Sequence, residues 1–400
     1  MDWQASGTGV PPVSSATRAR RPRHYFAAQV AATKARAIAQ GAFPGTGRRN
    51  ADFPVGLSRR LENRRGGVSP LRSGRDGRNR NGTAMDERGA PKAAGSPRRL
   101  MIGCGGTDMK ILFVHAHFDD YEFTAAGTFE IWKRQRGDGL TAKVIVCTDG
   151  KAGHQFRTRR ETGDLRLKEQ AASARIGGYE FEPLCYPGGG IPREACLQVD
   201  TRLLAALWKS IRDYEPDYLF CPPLPADPLA GIHVDHVAVA EAVRKVAYMI
   251  NVPHAFTPEF PADEKRSRPC KVPVILNVYD GYMAGGNSFD LALDVEPAFE
   301  KVCRMAWCHQ SQIAEWLPWV GRHAMAAPKS MAEWKKTLRR RFQRRSRELG
   351  ISGGGFVEVF TVTAWGEVPD WKQITRDLPG ILPRKSNLAR LKKRLSSWRP

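Results

Sequence analysis

The sequence between residues 110 and 250 alternates short apolar runs with longer amphipathic segments. Each run is short enough for a buried strand, and in the segments between them apolar residues recur every three or four positions, as they do in helices. The predicted strands cover 110–114, 143–148, 181–186 and 217–221, and the helices that follow them cover 123–132, 159–177, 199–214 and 236–250. This βαβα order predicts an α/β fold built on a doubly wound, mostly parallel sheet.

The first predicted strand ends abruptly in polar residues. The apolar run Ile111–Val114 leads into His117, Asp119 and Asp120, and a helical pattern follows. In open α/β sheets, ligands bind at the carboxyl ends of the strands. Burial of two carboxylates and an imidazole in one tight turn is costly unless a positive charge compensates. A divalent metal ion is the simplest source of that charge.

A second polar motif follows the fourth predicted strand. It consists of His233, Asp235 and His236, and it lies just before the predicted helix 236–250. In a doubly wound sheet, the loops that follow parallel strands open on the same edge. We therefore expect the two motifs to meet at one site.

The residue types in the two motifs match those of hydrolytic zinc sites. Such sites commonly use three ligands from His, Asp and Glu and leave a fourth position open for water. His117, Asp120 and His236 supply such a set. This choice leaves Asp119 as a candidate general base and His233 as a further polar group at the site.

Other histidines have a weaker context. We expect His115 to be a hydrogen-bonded strand residue without a ligand role. His154 lies in the loop after the second predicted strand and is a candidate for substrate contact.

The amino-terminal quarter of the chain differs in composition from the rest. Residues 1–100 carry 20 Lys and Arg against 6 Asp and Glu, so +14 of the net charge of +22 lies there. A segment without sustained apolar periodicity cannot bury enough surface to offset its ordering entropy. We predict that residues 1–108 are a disordered basic extension, with Met101 and Met109 as alternative starts of the protein.

The basic extension raises the question of a nucleic-acid or organelle-targeting role. Its Arg-rich segment 17–40 has the composition of a targeting peptide or of a nucleic-acid-binding arm. The aromatic residues of this segment, Tyr25 and Phe26, are adjacent and do not alternate with the arginines to stack on successive bases, so we do not expect a nucleic-acid partner. The eight cysteines include no CxxC pair, and no apolar run approaches the ~18–20 residues of a membrane-spanning helix. These features predict a reduced, cytoplasmic protein.

The pattern after residue 250 is less regular. Further strands are predicted at 274–278, 289–295 and 356–364, and further helices at 298–316 and 329–349, the second strongly basic. A basic tail at 384–400 contains no acidic residue. We expect both basic segments to present solvated faces.

Five short motifs, in this order and spacing, resemble those of the PIG-L/LmbE-type metal-dependent de-N-acetylases. That family opens with Ala-His-Pro-Asp-Asp-Glu and a Gly-Gly-Thr turn, and continues with Thr-Asp-Gly, Arg-x-x-Glu, His-Pro-Asp-His and His-x-Ser-Gln. The matching segments here are Ala116–Glu122 with Ala126–Thr128, Thr148–Gly150, Arg166–Glu169, His233–His236 and His309–Gln312. The resemblance spans residues 109–315.

The resemblance implies a Rossmann-like fold with the catalytic domain at 109–320 and a separate C-terminal part at 321–400. It implies zinc bound by His117, Asp120 and His236, although the same ligands accept Fe²⁺ or another divalent ion. The implied reaction removes the acetyl group from an N-acetylglucosamine-type sugar or sugar conjugate and releases acetate.

The resemblance also implies roles for the remaining motif residues. Asp119 becomes the general base, and His233 stabilises or protonates the collapsing intermediate. Arg166 contacts the substrate. Asp235 orients a histidine from behind, as carboxylates do at metal sites.

Several positions depart from the family pattern. The motif proline is Phe118, its glutamate is Tyr121, and the family's Pro-Asp-Gly after the third strand is Pro187–Gly189, without the carboxylate. These positions shape the pocket, so the chemistry is better supported than the substrate. Two alternatives stay open: an amidase acting on a thiol conjugate or another acylated amine, and a non-enzymatic protein that binds nucleic acid or anions.

Overall fold

The computed structural model describes residues 108–321, 325–353 and 355–399. Apart from Asp108, the predicted disordered extension lies outside the described residues. Seven strands form one sheet in the order β3-β2-β1-β4-β5-β7-β6. They are β1 (Met109–His115), β2 (Leu140–Val146), β3 (Glu180–Pro183), β4 (Tyr218–Cys221), β5 (Val274–Val278), β6 (Leu291–Asp294) and β7 (Val357–Val362).

The sheet is parallel from β3 to β5, and β7 runs antiparallel to both β5 and β6. The predicted α/β class with a mostly parallel sheet is therefore confirmed. The helices are α1 (Asp120–Thr124), α2 (Ala126–Arg136), α3 (Arg159–Gly177), α4 (Thr201–Tyr214), α5 (Val234–Met249), α6 (Phe299–Trp307), α7 (Leu317–Val320), α8 (Met331–Glu348), α9 (Trp371–Asp377) and α10 (Leu388–Trp398).

Two apolar layers cover the two faces of the sheet. In β1, Ile111 and Phe113 pack into one layer, whereas Leu112 and Val114 pack into the other. This alternation follows from the two-residue period of a strand. Helices α4 and α5 cover the second face, and α2, α6 and α8 cover the first. Burial on both faces explains why the strands are continuous apolar runs.

The predicted long helix at 298–316 is interrupted. Helix α6 ends at Trp307, and a π-helical turn covers Ser311–Trp316. His309, between them, is fully buried. Helical turns of this wider type are frequent at functional sites. The interruption carries residues of the last family motif toward the centre of the molecule.

The C-terminal residues are packed onto the same sheet. Glu358 of β7 accepts hydrogen bonds from the backbone N–H groups of Gly127 and Thr128 at 2.9 and 2.8 Å, and from the Thr128 hydroxyl at 2.7 Å. Arg345 of α8 is buried and donates to the carbonyl oxygen of Phe123. The predicted basic tail is largely helical, because Leu391 and Leu395 anchor α10 to the core. Among the described residues, no helix is long and apolar enough to cross a membrane.

Candidate metal centre and active site

The two polar motifs meet at the carboxyl edge of the sheet. β1 and β4 are parallel neighbours, and β4 is in turn paired with β5. Their carboxyl ends therefore deliver the loops after β1, β4 and β5 to one place. The structure brings together residues 117–120, 233–236 and 280 there.

Three ligand atoms form a compact triangle. Nδ1 of His117 lies 3.1 Å from Nε2 of His236, and each of these atoms lies 3.5 Å from Oδ2 of Asp120. A tetrahedral zinc ion with Zn–N distances of about 2.0–2.1 Å holds its ligand atoms roughly 3.3–3.4 Å apart. The spacing of the three atoms therefore fits one metal ion.

Two other overlapping groups of side chains at this edge of the sheet also have potential metal-ligand atoms close together. One comprises His117, His233 and His236, and the other His115, Asp120 and His236. His115 Nδ1 is 2.5 Å from Asp120 Oδ2, a close contact between the imidazole and the carboxylate. We favour the triangle of His117, Asp120 and His236, because its spacing fits an ion without any rearrangement.

The charges around the triangle also suit a cation. Burial lowers the pKa of His117, but hydrogen bonds that its ring donates to the carboxylates of Asp120 and Asp235 outweigh burial and raise the pKa to about 10. This cluster thus holds a proton on an imidazole that is neutral in most proteins near pH 7. A divalent cation supplies the same positive charge, and the residues present fit such an ion.

Each of the two histidines is held by a carboxylate on its far side. Nε2 of His117 lies 3.1 Å from Oδ2 of Asp235, and Nδ1 of His236 lies 3.0 Å from Oδ2 of Asp280. Metal-binding histidines almost always make such a contact, which fixes the tautomer and the ring orientation. Asp235 is the carboxylate that the sequence analysis assigned to this supporting role, and the role stays a prediction. Asp280 was missed, although it stands two residues after the predicted strand 274–278.

Asp119 lies next to the triangle in an unusual backbone conformation. Its φ is 88°, in the left-handed region that few residues other than glycine adopt. Its backbone N–H donates to Oε1 of Gln170 at 3.1 Å, which helps to hold this conformation. Burial raises the pKa of Asp119 to about 6, and the nearby Arg166 guanidinium opposes the rise.

Arg166 is buried between other protein groups. It donates to Oε1 of Glu194 at 2.9 Å and to the carbonyl oxygen of Phe118 at 2.8 Å, and it lies 3.6 Å from Oδ1 of Asp119. These contacts suit a residue that positions the Asp119 loop. That Arg166 also contacts substrate stays a prediction.

Glu194 is a second residue that the sequence analysis missed. Its Oε1 lies 3.9 Å from Nε2 of His117, and it accepts a hydrogen bond from the backbone N–H of Gly153. It belongs to the loop after β3, which lacks the family's Pro-Asp-Gly carboxylate. That loop therefore places a different carboxylate beside the metal centre, and no local pattern in the sequence marks it.

His233 caps the amino terminus of α5. Its Nδ1 accepts a hydrogen bond from the backbone N–H of Asp235 at 3.3 Å. Burial and the neighbouring histidines lower the pKa of His233 to about 4, so the ring is neutral near pH 7. Since Nδ1 is an acceptor, the neutral ring carries its proton on Nε2. Its ring centre lies 4.5 Å from that of His117.

Two further histidines, His115 and His154, contact carboxylates. His115 is buried, as expected of a strand residue, and its contact with Asp120 places it beside the candidate metal centre. His154 lies 2.7 Å from Oε2 of Glu315, in the π-helical turn. Its contact with substrate stays a prediction.

Comparison with known proteins supplies a family. Residues 112–247 match the family described as PIG-L, GlcNAc-PI de-N-acetylase, and that segment contains every residue of the predicted site. Residues 112–247 therefore form a PIG-L-type segment within the chain. This match supports an enzyme of the N-deacetylase class.

Several solved structures are similar to this protein. An N,N'-diacetylchitobiose deacetylase from Pyrococcus horikoshii shares 20% identity, covers 64% of this chain and 84% of its own, and has a TM-score of 0.49. The 4-carboxy-2-hydroxymuconate hydratase GalB from Pseudomonas putida shares 17% identity over 66% of this chain and 98% of its own, with a TM-score of 0.47. A conserved protein from Thermus thermophilus shares 18% identity over 66% of this chain and 98% of its own, with a TM-score of 0.46. These similarities are too distant to transfer an activity. No curated protein matches the sequence significantly.

One departure from the PIG-L pattern, Phe118, has a local explanation. Phe118, in place of the motif proline, is buried against Phe181. A Cβ atom on Gly150 would overlap the Phe118 ring, and Gly150 has a φ of 59°. The Thr-Asp-Gly turn therefore needs glycine here, both for its backbone and for the bulk of Phe118.

Proposed function

We propose that this PIG-L enzyme uses zinc to remove the acetyl group from an N-acetylglucosamine-type substrate, releasing acetate and the free amine. The observation that carries the proposal is the triangle of His117 Nδ1, Asp120 Oδ2 and His236 Nε2, with Asp119 beside it. The choice of an N-acetylglucosamine-type sugar as substrate rests on the description of the matching family.

In this proposal His117, Asp120 and His236 hold the metal. Zinc at this position supplies a Lewis acid that polarises an acyl oxygen and makes water more acidic. Asp235 and Asp280 keep the two histidines oriented toward Asp120, and the His115 imidazole packs against the Asp120 carboxylate.

Asp119 is the proposed general base. Its pKa of about 6 leaves it largely ionised at neutral pH, yet basic enough to accept a proton. It takes a proton from water as the water oxygen bonds to the acyl carbon. When the carbon–nitrogen bond breaks, the amine nitrogen takes up a proton, and acetate and amine are the products.

His233 is the proposed oxyanion donor. The backbone N–H of Asp235 occupies its Nδ1, so Nε2–H is free to donate. A neutral donor aimed at the developing negative charge stabilises the tetrahedral intermediate without itself having to be charged.

The metal content of the full chain tests the proposal. We expect about one zinc per chain after metal-replete expression, with acetate released from N-acetylglucosamine or a conjugate of it. His236→Ala should lose the metal and the activity. The matched control is His254→Ala, an exposed histidine, which should retain both. Wild-type protein that binds no metal, or that stays active without it, would refute the proposal.

A further inference from the structure

A cavity of about 160 Å³ adjoins the proposed metal ligands. Asp120, His236 and Asp280 line it from the strand ends, and Arg341 and Arg344 line it from α8. Helix α8 lies outside the segment that matches the PIG-L family. The chain therefore adds a basic wall of its own to a space that touches the metal centre.

Arg341 is the group in this wall that lacks a partner. Its guanidinium lies 4.2 Å from the centre of the Phe123 ring, and among the described residues it makes no hydrogen bond or ion pair. Burial lowers the pKa of Arg341, which reflects the cost of removing its charge from water. Its five N–H donors are therefore available to an acceptor that enters the cavity.

The other charged groups that line the cavity are already engaged. Asp120 and Asp280 contact His115 and His236 respectively. Glu348 accepts a hydrogen bond from the Tyr279 hydroxyl at 2.8 Å. Among the described residues, none of these carboxylates forms an ion pair with Arg341, and the Asp119 carboxylate raises the pKa of Arg341 without pairing with it.

The remaining arginines of the wall differ from Arg341. Arg345 is buried and bonded to the carbonyl oxygens of Phe123 and Val357. Arg344 is largely exposed and lies 3.7 Å from Glu348. Arg341 alone combines partial burial, contact with the cavity and the lack of a partner among the described residues.

We propose that Arg341 binds an anionic group of the substrate, a phosphate or a carboxylate, in the cavity beside the metal centre. Guanidinium groups bind both anions through paired N–H donors. The inference rests on the proposed function, since it assigns the substrate a negative charge in addition to its acylated amine.

Binding of product-like probes to the full chain tests this subsite without relying on turnover. Calorimetry compares glucosamine with glucosamine 1-phosphate and glucosamine 6-phosphate, and muramic acid serves as the carboxylate probe. We expect wild type to bind at least one anionic probe about 10-fold or more tightly than glucosamine, the scale of a hydrogen bond to a charged group. Arg341→Gln should abolish that preference. Arg340→Gln, an exposed arginine on the same helix, should keep it.

The outcomes separate this inference from the proposed function. Equal affinity of wild type for all four probes, or a preference that survives in Arg341→Gln, overturns the subsite. The protein could instead show an Arg341-dependent preference and yet release no acetate from any N-acetyl sugar. That result would support the subsite and refute the deacetylase proposal. If circular dichroism shows that Arg341→Gln is unfolded, Arg341→Lys replaces it. We then expect a reduced preference, since lysine keeps the charge and loses the paired donors, and an unchanged preference counts against the subsite.

Discussion

Nδ1 of His236 lies 3.0 Å from Oδ2 of Asp280, a carboxylate that belongs to neither of the two sequence motifs. The backbone N–H of Tyr282 donates to the other oxygen of Asp280 at 2.8 Å, so the carboxylate is itself held in place. The contact fixes the proton of His236 on Nδ1 and leaves Nε2 to face Asp120 and His117.

Asp280→Asn should weaken metal binding by about 10- to 100-fold, the usual effect of losing such a supporting carboxylate. The amide keeps the shape of the side chain but loses the negative charge that faces Nδ1 of His236. Competition with a metal-binding dye measures the affinity. Asp138→Asn, at an exposed turn, is the control. Equal metal affinity in the two variants would mean that Asp280 does not support the ligand.

Asp119→Asn should retain the metal and lose about 10²- to 10⁴-fold of the turnover, because it removes a base and no ligand. Asparagine tolerates the left-handed backbone conformation at this position, so the loop should keep its shape. Metal analysis and acetate release on the same preparation provide the two readouts. Nearly full activity would remove Asp119 from the mechanism.

His233→Asn should lower kcat by about 10²- to 10³-fold while sparing the metal content. The asparagine oxygen can still cap α5, as the His233 side chain does, so the variant isolates the loss of the imidazole. His233→Ala, which also removes the cap, should show a similar loss of rate and a lower melting temperature. Metal-free protein from the asparagine variant would instead identify His233 as a ligand.

Gln170→Leu should lower kcat without removing the metal. Gln170 accepts a hydrogen bond from the backbone N–H of Asp119 and donates to Oε1 of Glu122 at 3.1 Å, so both groups lose a buried partner. The cost in the free energy of unfolding should be about 1–3 kcal/mol. Chemical denaturation and steady-state kinetics measure the two effects. The control is Gln135→Leu, at an exposed position of α2, and a loss of stability with unchanged kcat would show a structural role alone.

Glu358→Ala should reduce the free energy of unfolding by about 2–4 kcal/mol, since it leaves two backbone N–H groups and a hydroxyl at the start of α2 without an acceptor. The residue stands in β7, far along the chain from the helix that it caps. Replacement of the exposed Glu333 should have a much smaller effect on the urea midpoint. If the Glu358 and Glu333 variants had equal urea midpoints, the C-terminal residues would not stabilise the catalytic part.

The local pattern was sufficient for the class of fold and for much of the site. Apolar runs followed by helical periodicity predicted the parallel sheet, because buried strands and amphipathic helices have different periods. It failed at 298–316, where the periodicity on either side of His309 concealed a break in the helix. It also failed at 384–400, where charge concealed the apolar residues that dock α10.

The amino-acid sequence alone specifies two polar motifs, each in the segment that follows a strand, and hence the candidate ligands His117, Asp120 and His236. The groups that surround these ligands are set by the assembled fold. Asp280, Glu194 and Arg341 come from a neighbouring strand end, a loop and a late helix, and each reaches the centre through the order of strands and the packing of α8. Local patterns report which face of an element is buried, whereas proximity between distant segments depends on how the whole sheet is assembled.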